Sequence, residues 1–129
     1  MSNSYYILAA VILFYFLYKK FAFIGNKHVK NISAEKAYEL IKENKDILIL
    51  DVRTSSEFKS GHIKGAKSLP VANITSNLAQ LEKYKDKPVI VHCASGGRSP
   101  SAVRVLLKNN FSQIYHMNHG IIGWKYGLK

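Results

Sequence analysis

Apolar and polar positions divide this chain into two parts. From Tyr5 to Tyr18 the run YYILAAVILFYFLY is apolar throughout, and Lys19-Lys20 closes it. Further on, short apolar runs alternate with segments whose apolar residues recur every three or four positions. Ser33 is a natural N-cap, and Ala37, Leu40 and Ile41 share one face of a predicted helix over Ala34 to Glu43. Ile47-Leu48-Ile49-Leu50 is continuously apolar and ends at Asp51, the pattern of a strand covered on both faces. A helical turn is predicted over Ser55 to Lys59, stopped by Gly61, and a short strand over Ala66 to Leu69, closed by Pro70. Ile74, Leu78 and Leu81 recur at helical spacing between Asn73 and Tyr84. Pro88 to His92 reads as a second buried strand, and Pro100 to Lys108 as a helix with proline in its first turn. Asn109-Asn110 supplies a left-handed helix end. Gln113 to Met117 is the last strand, and Gly120 to Lys125 a tight turn running into a short helix. Strands alternating with helices predict an α/β fold with a mostly parallel central sheet flanked by helices. Ligands of such sheets bind at the carboxyl ends of strands, where Asp51 and Cys93 both stand.

The N-terminal run predicts one transmembrane helix ahead of that domain. A spanning helix wants about 20 apolar residues for a ~30 Å hydrocarbon core. The run from 5 to 18 is shorter, so the expectation also uses snorkelling Lys19 and Lys20 and an interfacial stretch from Phe21 to Ile24. A cleavable leader would begin with positive charge and end in a small-residue cleavage site; neither pattern is present. The organisation expected is a membrane anchor over 1–24, a linker over 25–30 and a folded domain over 31–129. Lysines follow the span and no charge precedes it, which predicts a single-pass protein of the cell membrane with its C-terminal domain in the cytoplasm.

Composition narrows the partners. The formal net charge is +11, spread along the chain with no compact basic arm. It suits solubility, an anionic leaflet or anionic substrates; no nucleic-acid motif accompanies it, and no nucleic-acid partner is expected. The single cysteine, Cys93, excludes an internal disulfide and a structural zinc site built on several thiolates. His116 and His119, three apart, lack an accompanying carboxylate or thiolate, so no metal site is assigned; no cofactor is expected either.

Cys93 lies in the most informative stretch, His92-Cys93-Ala94-Ser95-Gly96-Gly97-Arg98-Ser99, between a predicted strand and a predicted helix. A helix N-terminus carries partial positive charge, a glycine-rich loop can fold its N–H groups toward the sulfur, and Arg98 adds a full positive charge. A free cysteine titrates near ~8.5, and such surroundings bring a thiol to neutrality or below. Ser99 can cap the helix or turn its hydroxyl into the cradle. The loop suits a thiolate nucleophile handling a small anion.

Further matches lie elsewhere. Asp51-Val52-Arg53, Glu57-Phe58, Gly61-His62-Ile63 and Gly65-Ala66 resemble the first signature of the rhodanese-like single-domain sulfurtransferases. His92-Cys93 to Arg98-Ser99 resembles their active-site loop, and His119-Gly120-Ile121-Ile122-Gly123-Trp124 their closing signature. The likeness covers residues 31 to 129. Lys64 stands where the family often has proline, and His119 replaces the first glycine of the closing signature.

The resemblance implies that Cys93 accepts a sulfane sulfur from a small anionic donor such as thiosulfate and passes it to a thiol or cyanide. The amides of Ala94, Ser95, Gly96, Gly97, Arg98 and Ser99 would hold the extra sulfur, and Arg98 would attract the donor. Four residues separate Cys93 from Arg98, where tyrosine phosphatases have five; within the family the shorter loop marks sulfurtransferases. A docking or sulfur-carrier module without independent turnover is the alternative. Asp51 and Arg53 are supporting candidates, as an ion pair or with Asp51 capping the following turn. Glu57 is read as a partner for Arg53 or a surface residue. His62 is read as orienting the adjoining loop, His92 as a strand end that bonds locally, and Trp124 as an aromatic of the pocket wall.

Overall fold

The structure is a computed structural model that describes residues 3–21 and 26–129. Five parallel strands form one sheet in the order β1-β5-β4-β2-β3. They are β1 (Val29–Ile32), β2 (Leu48–Asp51), β3 (Lys67–Ser68), β4 (Val89–His92) and β5 (Ile114–Met117). The helices are α1 (Ser4–Phe21), α2 (Ala34–Glu43), α3 (Ser55–Ser60), α4 (Leu78–Leu81) and α5 (Ser99–Lys108).

Alternation along the strands divides the core into two layers. Ile32, Ile49, Ile90 and Met117 face α2 and pack with Ala34, Ala37 and Leu40. Val29, Leu48, Leu50, Val89, Val91 and Ile114 face the other way and pack with Ala102, Val103 and Leu106 of α5. Both faces of the sheet are therefore covered, which explains why β2 and β4 are apolar at nearly every position. Burying a large aliphatic side chain of this kind contributes roughly 1.5–3 kcal/mol relative to leaving it exposed.

The termini of the elements follow their side-chain chemistry. Ser33 Oγ accepts from the Lys36 amide and starts α2 at the predicted residue. Thr54 starts α3 through a reciprocal pair: its hydroxyl accepts from the Glu57 amide, and Glu57 Oε1 accepts from the Thr54 amide. Asp51 does not cap this helix, contrary to the sequence reading. Asn110, at φ 66°, ends α5 as predicted; the Asn110 and Phe111 amides donate to the carbonyls of Leu107 and Leu106.

Three further readings of the sequence change. First, no helix among the described residues is long and apolar enough to cross a membrane, so the predicted transmembrane helix is corrected. Helix α1 has 18 residues, about 27 Å at 1.5 Å per residue. That length includes Lys19, Lys20 and four tyrosines, and the apolar run itself reaches only about 21 Å. Residues 3–18 are all exposed. The side chains of Lys19 and Lys20, the interfacial stretch from Phe21 to Ile24 and the linker's start at Gly25 lie outside what is described. Second, the segment read as a linker over 25–30 runs into β1, which pairs with β5 from Val29↔Ile114 to Ile32↔Met117. Third, the helical spacing from Asn73 to Tyr84 resolves into 3-10 turns around the one-turn α4, and β3 shrinks to two residues.

Candidate active site

β4 ends at His92 and α5 begins at Ser99, and Cys93 opens the loop between them. Val52 on the neighbouring strand end donates its amide to the His92 carbonyl, which fixes the chain's exit from the sheet. The loop closes on itself around the sulfur. The Gly96 amide donates to Cys93 Sγ at 3.1 Å, and Ser99 Oγ stands 3.4 Å from Sγ in a second hydrogen bond. Burial pushes the Cys93 thiol up; the Ser99 hydroxyl and the amides of Ser99, Arg98 and Gly96 pull it down by more, and the net shift is downward. Cys93 is 1% exposed, with the Gly96 amide and the Ser99 hydroxyl both against its sulfur.

Two glycines let the loop curl. Gly96 sits at φ 97°, and a methyl group there would fall on the Asn118 carbonyl oxygen. Gly120 sits at φ 73° and ψ −170°, and a methyl group there would meet the Ala94 carbonyl and the Ser95 amide. The turn after β5 is also tied to the loop by hydrogen bonds: the Ile121 amide donates to the Cys93 carbonyl at 3.0 Å, and Ile122 to Ala94 at 3.2 Å. Gly97 has neither a left-handed backbone nor a crowded Cβ position. His119 is exposed and takes no positive φ, because Gly120 alone makes the turn.

The predicted binding residues divide by role. The amides of Gly96, Arg98 and Ser99 act on the sulfur. Ala94 contributes its carbonyl to the Ile122 amide, and Ser95 and Gly97 are exposed at the loop surface. The Arg98 guanidinium is engaged with Glu57, Nη1 to Oε1 at 2.6 Å and Nη2 to Oε2 at 2.9 Å. Arg98, then the Thr54 amide, hold the Glu57 carboxyl well below its ordinary range, at about 2. Glu57 is therefore the partner of Arg98 rather than of Arg53. Its role as a clamp was not legible in the sequence, since 41 residues separate the two.

Asp51 and Arg53 do form the predicted ion pair. Arg53 Nη2 donates to Asp51 Oδ2 at 2.7 Å, Nε to Oδ1 at 3.0 Å, and Nη2 also to the Gly61 carbonyl at 2.8 Å. Both are buried, and the pair ties the end of β2 to the end of α3. His62 stacks on Phe58, with ring centroids 3.8 Å apart, and donates Nδ1–H to the Phe58 carbonyl at 2.9 Å. It thus orders the turn after α3. His92 donates Nδ1–H to the Cys93 carbonyl at 3.0 Å, the local bond its position suggested. Its Nε2 lies 3.8 Å from Asp51 Oδ2 and makes no hydrogen bond. Burial outweighs the Asp51 charge and lowers the basicity of this imidazole. Trp124 packs edge-on to Tyr38 and Tyr126, in the layer on the α2 side of the sheet.

Two residues near the sulfur were not assigned this position by the sequence. His116 is 3% exposed and places Nε2 2.7 Å from Ser99 Oγ. Its Nδ1 lies 3.1 Å from Asn31 Oδ1 on the neighbouring strand. A polar residue on the core-facing register of an otherwise apolar strand is the signal that could have marked His116.

The chain is similar to known proteins. A family model described as Rhodanese-like domain matches residues 33–126. An uncharacterized protein, YibN, of Escherichia coli is 37% identical over 97 residues, covering 74% of this chain and 67% of that protein. The thiosulfate sulfurtransferase GlpE of Pseudoalteromonas translucida is 33% identical over 96 residues, covering 74% of this chain and 89% of that enzyme. The crystal structure of a rhodanese-like domain protein from Staphylococcus aureus superposes with a TM-score of 0.69 at 31% identity, covering 78% of this chain and 96% of that one. With the parallel sheet, the loop and these likenesses in agreement, the chain belongs to the rhodanese-like sulfurtransferase family.

Proposed function

We propose that this chain moves a sulfane sulfur from an anionic donor such as thiosulfate to a thiol or cyanide through a persulfide on Cys93. The observation that carries the reading is the geometry at a buried sulfur: the Gly96 amide donates to Cys93 Sγ at 3.1 Å and Ser99 Oγ stands 3.4 Å from it, partners that favour the thiolate. Burial alone would make the same thiol inert. The similarity to the GlpE enzyme supports the choice of donor.

In the first half-reaction the Cys93 thiolate attacks the outer sulfur of thiosulfate. A Cys93 S–S bond forms, the thiosulfate S–S bond breaks, and sulfite leaves with the electron pair. In the second, cyanide or a thiolate attacks the outer sulfur of the persulfide, and Cys93 departs as thiolate. The amides that stabilise the thiolate also stabilise the negative charge on the persulfide. Arg98 brings positive charge to the incoming donor while Glu57 holds its guanidinium in place.

Intact-mass analysis after thiosulfate treatment tests the reading. The chain gains one sulfur atom, cyanide removes it as thiocyanate, and Cys93→Ser does neither. A Cys93→Ser chain with full turnover would end the proposal.

A further inference from the structure

Asn31, His116, Ser99 and Cys93 form an unbroken hydrogen-bonded series. Asn31 and His116 are register partners on β1 and β5, on the sheet face that packs against α5, and Ser99 is the first residue of α5. The distances are 3.1 Å from Asn31 Oδ1 to His116 Nδ1, 2.7 Å from Nε2 to Ser99 Oγ, and 3.4 Å from Oγ to Cys93 Sγ. Each link has one donor, so the direction of one bond sets the next.

With the Asn31 oxygen accepting, His116 carries its proton on Nδ1, and Nε2 presents a lone pair. Ser99 then donates its hydroxyl to Nε2, and its oxygen is left to accept the Cys93 S–H. That series fits a thiol. It does not fit a thiolate, or a persulfide whose inner sulfur has no proton, because both need Ser99 as a donor. If Ser99 turns its hydroxyl to sulfur, its oxygen needs a donor, and Nε2–H is the group within reach.

We infer that His116 is a positioning residue that changes tautomer with the state of Cys93, holding Ser99 as acceptor to the thiol and as donor to the thiolate or persulfide. The proton count closes. Cys93 gives its proton to water, and His116 stays neutral while its own proton leaves Nδ1 and another from water enters at Nε2. The Asn31 amide rotates to offer its NH2 to the bare Nδ1; Asn31 is exposed, which gives the exchange a route to solvent. Burial lowers the His116 imidazole to about 4, which favours a neutral switch over an imidazolium. Along this series Cys93 is the titratable group that His116 faces through Ser99 of α5, and Asn31 of β1 is uncharged. The persulfide arm rests on the function proposed above; the thiol-to-thiolate arm needs no turnover, so the two fail separately.

The test is nitrogen-15 NMR of histidine-labelled full-length chain, with His116→Gln identifying the resonances and thiolate absorbance following Cys93. The expected result is Nδ1–H below the Cys93 midpoint and Nε2–H above it, with one shared midpoint. Thiosulfate-loaded chain should show Nε2–H throughout. In Ser99→Ala, and in Cys93→Ala should that variant be the better folded, His116 should hold one tautomer over the same range. A wild-type His116 that keeps its proton on Nδ1 across the Cys93 transition would overturn the inference. So would one that becomes doubly protonated as the thiol ionises, or a switch that persists without Cys93.

Discussion

Replacing Gly120 by alanine should separate the loop's backbone requirements from its sequence. Gly120 lies at φ 73° and ψ −170°, a conformation open in practice to glycine alone. Forcing an L-residue there costs on the order of 1–3 kcal/mol. The new methyl group would also collide with the Ala94 carbonyl and lie 2.6 Å from the Ser95 amide nitrogen. Backbone cannot yield to it as a flexible side chain would. The turn must move, and with it go the Ile121 and Ile122 bonds to Cys93 and Ala94, each worth about 1 kcal/mol. Strain and lost bonds together predict a destabilisation of about 3–5 kcal/mol. Gly97→Ala is the control: nothing lies within 4 Å of its Cβ position and its φ is not left-handed. That variant should be neutral, or more stable by about 0.4–1 kcal/mol through the unfolded chain. Urea unfolding with an unchanged slope reads both; with slopes of ~1–3 kcal/mol per molar, the Gly120 midpoint should fall by roughly 1 M or more. Equal midpoints for the two variants would refute the close-approach reasoning.

The remaining predictions concern charge. Glu57→Gln removes the anion that neutralises Arg98, so the Cys93 alkylation midpoint should move to lower pH; an upward move would show that Glu57 aids the thiolate instead. The Glu57 carboxyl is lowered from 4.5 to about 2, so its contribution to stability is present above pH 4.5 and lost as pH falls toward 2; acid unfolding of Glu57→Gln should lack that component. Asp51→Ala leaves the Arg53 cation buried without its partner and should cost about 3–5 kcal/mol in urea unfolding, while the folded fraction still takes up sulfur; loss of sulfur uptake in folded chain would give Asp51 a direct chemical part. His116 is lowered from 6.5 to about 4, so the unfolded chain takes its proton first, and stability falls as pH drops from 6.5 through 4. The full loss is about 3 kcal/mol at ~1.4 kcal/mol per pH unit, and it should be absent from His116→Gln.

The order of strands and helices was legible where local chemistry decides it. β2 and β4 are apolar on both faces, Ser33 caps α2, and Asn110 ends α5. The Cys93 loop was legible because its parts are contiguous. β1 was not, since Val-Lys-Asn-Ile offers two apolar residues and becomes a strand by pairing with β5. The segment from Asn73 to Tyr84 has helical spacing, yet none of its turns has a side-chain cap, and they tighten to 3-10 geometry around buried Ile74 and Leu81. The pairs that complete the site, Glu57 with Arg98 and Asn31 with His116, are 41 and 85 residues apart. Only the folded sheet brings them together. The apolar run from Tyr5 to Tyr18 predicts a span by hydropathy alone, and among the described residues no helix is long and apolar enough to cross a membrane.

The proposed sulfur transfer depends on a loop that makes a buried cysteine acidic, and the pH dependence of Cys93 alkylation by iodoacetamide measures this directly. The predicted midpoint lies below that of a free thiol, and Ser99→Ala raises it. A wild-type midpoint at or above that of a free thiol would show that burial outweighs the hydrogen bonds from Ser99 and the loop amides, and the proposed sulfur transfer would lose its nucleophile.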